Sequence, residues 1–454
     1  MNIQTTLQST TSRIGRSVTF KLSVVGALIL VLLVPVSMIK SLIREREWRQ
    51  GRVVDEINAK WGRSQTVAGP ILSIPYRKII EYEKGKQTAV TRYIHLLPDA
   101  LQVQGGVTPQ VRYRGIYQAV LYQTRLVIEG RFPRPVIDND RIPPEDIFWD
   151  AAFVALGITD LRGIRASIQG TFGGQTLAME PGMETADVLA SGVSAPVALN
   201  QGVQGYDFQF TIDLNGSQQL SFTPVGRTTT VAVHSPWSDP SFTGAFLPAE
   251  RTISPEGFTA RWNVLHLNRN YPQTWTGSGH KLEESAFGVR LFSPVDVYQK
   301  SMRTAKYALM FIVFAFTAFF VAEVICRLRV HPVQYLLIGL AIIIFYTLLL
   351  SISEHTRFGI AYLTASTAVL GLITAYARNI LRSTAVTAMV AGMLAVLYGY
   401  LYILLQLEDY ALLMGSIGLF VVLGLVMFLT RNISWYEAPV PKAAVPAGAT
   451  AADQ

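Results

Sequence analysis

Charge-free apolar runs divide this chain unevenly. Windows near 20 residues long lie at 22–39, 308–322, 333–352, 358–377, 384–406 and 410–430. A hydrocarbon core of about 30 Å needs about 20 apolar residues of helix. The spacing therefore predicts six transmembrane helices, one N-terminal and five C-terminal. Between the first two runs the period changes. Residues 41–61 alternate charges with Trp48, Val53, Val54, Ile57 and Trp61, which reads as a juxtamembrane helix. From Pro70 onward, short β-type runs separated by turn residues take over. The clearest is Y-D-F-Q-F-T-I-D-L (206–214), apolar at every second position, as in a half-buried antiparallel strand.

Asn215-Gly216 follows that strand and is a hairpin cue. A three-residue loop over 215–217 would pair Ile212 with Leu220 and Phe210 with Phe222, keeping apolar residues on the core face. About a dozen such strands imply a large antiparallel β-sandwich assembly, as one sandwich or two packed together. The segment 184–202 is small and polar and reads as a loop.

The formal net charge is +8, which raises the question of a nucleic-acid partner. Residues 44–303 carry 27 Lys/Arg against 25 Asp/Glu, so most of the excess lies beside the apolar runs. It is topological, and no nucleic acid is expected. With the N-terminus inside, the inner segments hold Arg13, Arg16, Lys21, Arg327, Arg329, Arg378, Arg382, Arg431 and Lys442. The short outer loops hold only Arg357, with Glu354, Glu408 and Asp409. This asymmetry puts both termini inside and the long β-rich segment outside. The first run is basic at its start but has a poor cleavage site at Pro35-Val36-Ser37, so it is expected to remain as an anchor. Cys326, the single cysteine, lies at the inner end of the second run, leaving the external segment without a disulfide.

Chemical motifs are sparse. The chain has no phosphate-binding glycine loop, no H-E-x-x-H and no G-x-S-x-G. No catalytic residue, cofactor or metal site is predicted, and His234 and His266 read as ordinary β-segment histidines. Ionisable groups near the membrane carry more weight, because burying one is costly unless it is paired or wet. Glu323 and Arg327 have the spacing of a helical pair. Glu354, His355 and Arg357 close the third run in S-I-S-E-H-T-R-F-G. They are an acid/base candidate or, on the reading preferred here, a polar clasp joining the bundle to the external domain, with Glu354 and Arg357 paired. Tyr398 and Tyr402 share a helical face and read as an outer aromatic belt.

Several strings resemble the CreD family of bacterial inner-membrane, cell-envelope-integrity proteins. They are V-A-G-P-I-L-S-I-P (67–75), P-S-F-T-G-A-F-L-P (240–248), R-T-A-K-Y-A (303–308), H-P-V-Q-Y-L-L (331–337), F-Y-T-L-L-L-S-I-S-E-H-T (345–356) and L-T-R-N-I-S-W-Y (429–436). Their order covers nearly the whole chain. The resemblance implies a Gram-negative inner-membrane protein with a periplasmic domain, associated with envelope integrity, colicin tolerance and β-lactam responses under a two-component system. It supplies no catalytic residues.

The expected fold is thus an α+β membrane protein with six transmembrane helices and a periplasmic, all-β, sandwich-like antiparallel domain inserted after the first helix. Its expected parts are a cytoplasmic tail (1–21), the first helix (22–43), the β-rich domain (44–303), a five-helix bundle (304–431) and a second cytoplasmic tail (432–454), Pro/Ala-rich and disordered from about 437. The bilayer is one expected partner, a periplasmic or inner-membrane protein another, and the oligomeric state is left open. The preferred function is non-enzymatic, with the β-domain binding a partner or envelope component in support of envelope integrity and stress response. The alternatives are a transporter or channel through helices two to six, and a periplasmic enzyme relying on carboxylates such as Asp146, Asp150 and Asp160.

Overall fold

The computed structural model describes residues 18–82, 86–137, 142–200, 202–291, 297–325, 330–407 and 410–431. Arg327, Cys326, Glu408, Asp409 and the Pro/Ala-rich tail lie outside them. The chain separates into two compact units: residues 1–47 with 296–454, and residues 48–295.

The apolar runs become helices. Helix α1, Val18–Trp61, is a single element of 44 residues, so the first apolar run and the charged segment after it form one rod. Helix α2 (Val297–Lys306) leads into α3 (Ala308–Ile325), and the two form a pair bent by 46°. Then follow α4 (Pro332–Ser353), α5 (Phe358–Leu381), α6 (Thr384–Gln406) and α7 (Ala411–Thr430). Among the described residues, four helices are long and apolar enough to cross a membrane, or five if the bent pair counts as one span. The first of them is N-terminal.

Packing in this unit relies on small residues where helices meet. A side chain at Gly339 of α4 would collide with Leu32 of α1, so glycine sets their close approach. An aromatic cluster fills the interior: Phe345 lies 4.9 Å from Tyr398 and 5.4 Å from Tyr362, and Phe311 lies 4.4 Å from Tyr398. Tyr398 is buried. It belongs to the bundle core, contrary to the expected interfacial belt, because its face of α6 meets α3 and α4.

The β-rich unit has a nine-stranded and an eight-stranded sheet. Both contribute to one hydrophobic core: Ile71, Leu156, Phe222 and Phe287 from the first, and Ile128, Phe210, Val231 and Trp262 from the second. One sandwich core replaces the alternative of two. Pairing is mostly antiparallel, but Gln65–Tyr82 runs parallel to Gln219–Thr223, and Thr228–Ser235 runs parallel to Ala100–Arg114.

The strand at 206–214 forms as its alternation requires, within Gly205–Ser217, where Ile212 pairs with Leu126 and Phe210 with Ile128. The predicted hairpin does not form. The chain continues as strand through Asn215 and Gly216, and Gln218 takes a positive φ of 61°. Gln219–Thr223 then joins the other sheet. Leu220 and Phe222 reach the same core from the opposite side, which buries them as fully as a hairpin would. The expected loop at 184–202 also contains a buried strand, Gly192–Pro196, paired with Phe153–Ile158.

Candidate functional site

Two buried carboxylates dominate the polar chemistry of the membrane unit, and α1 supplies a cation to each. Leu32, Val36 and Ile43 are the buried apolar positions among the described residues of α1. Their spacing of four and seven residues marks one helical face. Lys21, eleven residues before Leu32, and Arg46, three after Ile43, extend that face in both directions. At a 1.5 Å rise they stand about 37 Å apart along the axis, somewhat more than a bilayer's hydrocarbon thickness of about 30 Å.

At one end Lys21 pairs with Glu323 of α3. Glu323 is only 4% exposed and accepts two further bonds, from the Val330 amide at 3.1 Å and the Tyr335 hydroxyl at 3.0 Å. Three donors satisfy the buried carboxylate without solvent. The expected partner Arg327 falls outside the described residues.

At the other end Glu354 caps α4. Its carboxylate, 8% exposed, lies 3.7 Å from the Arg46 guanidinium and accepts from the Tyr298 hydroxyl at 3.0 Å. Lys300 of α2 adds a cation 6.0 Å above the Phe358 ring. The expected pairing of Glu354 with Arg357 gives way to this one. Arg357 is exposed and precedes α5, whereas Arg46 and Tyr298 approach Glu354 from inside the unit. His355 does not join it either. The ring is exposed, and its Nδ1 lies 3.1 Å from the Ser351 carbonyl. The S-E-H-T stretch therefore holds one buried acid and one solvated imidazole that do not act together. Both carboxylates serve to fasten α1, through α3 and α4.

In the β-rich unit two of the three carboxylates offered for an enzyme, Asp146 and Asp160, are occupied elsewhere, and Asp150 is exposed. Asp146 accepts from Arg77 at 2.7 Å. Asp160 caps the short helix Leu161–Gly163 and accepts from the Arg63 amide and from Arg162. The Arg162 hydrogen bond holds its carboxyl below the usual carboxylate range.

A constellation that sequence reading missed lies around His95. Ser73 and His95 face each other across neighbouring strands, with Oγ and Nδ1 2.9 Å apart. Asp187 lies 3.6 Å from Nε2, beyond hydrogen-bond reach. Burial pushes the imidazole below its ordinary value, outweighing the attraction of Asp187. The residue types match a nucleophilic triad, yet Ser73 and His95 are sealed in the core. The His95 ring packs 5.5 Å from Trp275. This is a buried structural network. Its signal in the sequence is a histidine flanked by Ile94, Leu96 and Leu97, the continuous apolar run of a strand covered on both faces.

The hairpin tip joining Ala100–Arg114 to Tyr117–Pro133 is built differently. Side chains alternate along a strand. Arg112 and Arg114 turn toward the end of α1, where Arg112 stacks 4.7 Å over Trp61 and Arg114 pairs with Glu56. Val111 and Tyr113 turn to solvent, Tyr113 at 70% exposure, and Ile116 beyond the Gly115 turn is also exposed. A groove of about 310 Å³ runs beside them.

Comparison with known proteins agrees with the sequence strings. The family described as "Inner membrane protein CreD" matches residues 17–436. The Inner membrane protein CreD of Escherichia coli (strain K12) is 33% identical over 430 residues, covering 92% of this chain and 94% of that protein.

Proposed function

The chain belongs to the CreD family of inner membrane proteins, and from that footing we propose a non-enzymatic anchor that presents its β-rich unit in the periplasm to bind an envelope partner. The reading of six spans rests on the six apolar runs, and that of inward-facing termini on the concentration of Lys and Arg in alternate connecting segments. The role in envelope integrity and stress response rests on the family resemblance.

The observation that carries the docking reading is the hairpin tip. Val111, Tyr113 and Ile116 expose apolar surface on a segment whose arginines are already committed to Trp61 and Glu56. These contacts tie the tip to α1, which lowers the ordering entropy that opposes contact. Clustered exposed apolar groups mark contact surfaces, and tyrosine is enriched among residues that dominate them. An enzymatic reading gains less, since Asp146 and Asp160 are paired and Ser73 is sealed.

Complementation tests the proposal. In a strain lacking this protein, Tyr113→Asp should reach wild-type abundance and fail to restore envelope resistance to detergent and β-lactam. Full restoration by Tyr113→Asp would reject the hairpin as the docking surface.

A further inference from the structure

An open cavity of about 530 Å³ lies between α3, α6 and α7, within the range of about 300–1,000 Å³ typical of small-molecule sites. Its wall includes Phe314, Ala318 and Val321 of α3, Gly392 and Val396 of α6, and Val421 of α7. These residues come from the middle turns of three apolar helices, which in a bilayer would set the opening at hydrocarbon depth. The polar atoms beside it are already engaged. The Tyr400 hydroxyl donates to the Met414 carbonyl, and the Thr317 hydroxyl donates to the Val313 carbonyl at 2.8 Å. Among the described residues that line it, no charged side chain is present to hold a charged ligand there.

Two glycines in the wall play different parts. A Cβ on Gly418 would meet the Tyr400 ring, with Cζ at 2.7 Å, so that glycine serves close helix packing. A Cβ on Gly392 would meet nothing within 4 Å. Glycine in a helix interior is disfavoured relative to alanine, and close packing does not account for it here. What Gly392 provides is open volume on the cavity side of α6.

We propose that this cavity is a binding site for one acyl chain of a membrane phospholipid, held by dispersion contacts on three sides with its headgroup outside. This goes beyond the docking role and does not depend on it. A chain seated between helices touches fixed atoms along its length, whereas a chain in bulk lipid touches mobile ones, and summed dispersion contacts favour the seated position. No polar anchor is required, so the site selects chain geometry and not headgroup.

The test uses the full chain in phosphatidylglycerol nanodiscs doped with the same lipid carrying a diazirine at the end of one acyl chain. In the wild type, photolabel should concentrate on peptides of α3, α6 and α7 that line the cavity, above the level at the exposed Leu363 face of α5. Gly392→Leu fills the space and should lower the α6 label roughly tenfold. Gly371→Leu, on α5 and equally free of neighbours within 4 Å, should leave it unchanged. The wild-type labelling map decides even if Gly392→Leu folds poorly. Equal labelling of α5 and the cavity would overturn the proposal, as would an α6 label unaffected in folded Gly392→Leu. Benzoylphenylalanine at Val396 adds a second arm. Adducts to lipid support the acyl-chain site, and adducts to a second copy of this chain contradict it.

Discussion

Glu323 accepts from Lys21, Tyr335 and the Val330 amide, so truncating it strands the Tyr335 and Val330 donors in a buried setting and leaves the part-exposed Lys21 without this partner. Glu323→Ala should cost on the order of 3 kcal/mol. Glu354→Gln keeps an acceptor for Tyr298 and weakens only the pairing with a half-exposed Arg46, a loss of about 1 kcal/mol or less. Thermal unfolding of the purified chain in detergent should therefore show a clearly larger drop for Glu323→Ala; equal drops would refute the clamp as described. His95 supplies a pH test. Burial holds its folded pKa below the unfolded value of about 6.5, so the unfolded chain binds the proton more readily. Its contribution is complete above pH 6.5 and declines as pH falls from there toward the folded pKa. Asp160 and Asp213, held low by Arg162 and Arg125, act in a separate window below about pH 4. The unfolding midpoint of the β-rich unit should fall between pH 7 and 5, and His95→Gln should flatten that slope; an unchanged slope counts against the assignment. Glu354 was legible as an acid at the end of an apolar run. Arg46 was not, because a partner some 300 positions away leaves no local trace, and Arg357 was simply nearer.

At the scale of elements, periodicity identified many strands and apolar helices but not their partners. The alternation over 206–214 fixes which face of the strand is buried, but not which strand lies beside it. Asn215-Gly216 resembles a turn, yet the ladder with Tyr117–Pro133 extends to Ser217, and sheet pairing overrides the turn preference. The change of sheet falls on Gln218, at a φ that β-branched residues strongly disfavour. Gln218→Val should lower the midpoint of the β-rich unit, while Gln218→Gly should leave it level or raise it by up to about 1 kcal/mol. A Val variant as stable as wild type would mean that the crossing lies elsewhere. In the same way, apolar windows located α1 and α4, but only packing reveals that Gly339 admits Leu32. The buried strand Gly192–Pro196 went unrecognised because its small residues give no alternation to read.

For the molecule as a whole, family membership and apolar helices establish a membrane protein with a large β-rich unit. Its use as an external docking module is the proposal built on them. Helix α1 is shared between the two units, with residues up to Glu47 in one and those from Trp48 in the other. Lys21 and Arg46 fasten the first part, and the hairpin arginines engage the second at Trp61 and Glu56. One helix thus carries both the membrane clamp and the contacts that support the exposed tip. The most direct test is photo-crosslinking in living cells from benzoylphenylalanine at Tyr113. A discrete adduct with another envelope component should form and should disappear when Val111→Asp is added at unchanged protein abundance. Adducts only with the protein itself, or an adduct indifferent to Val111→Asp, would contradict the docking proposal.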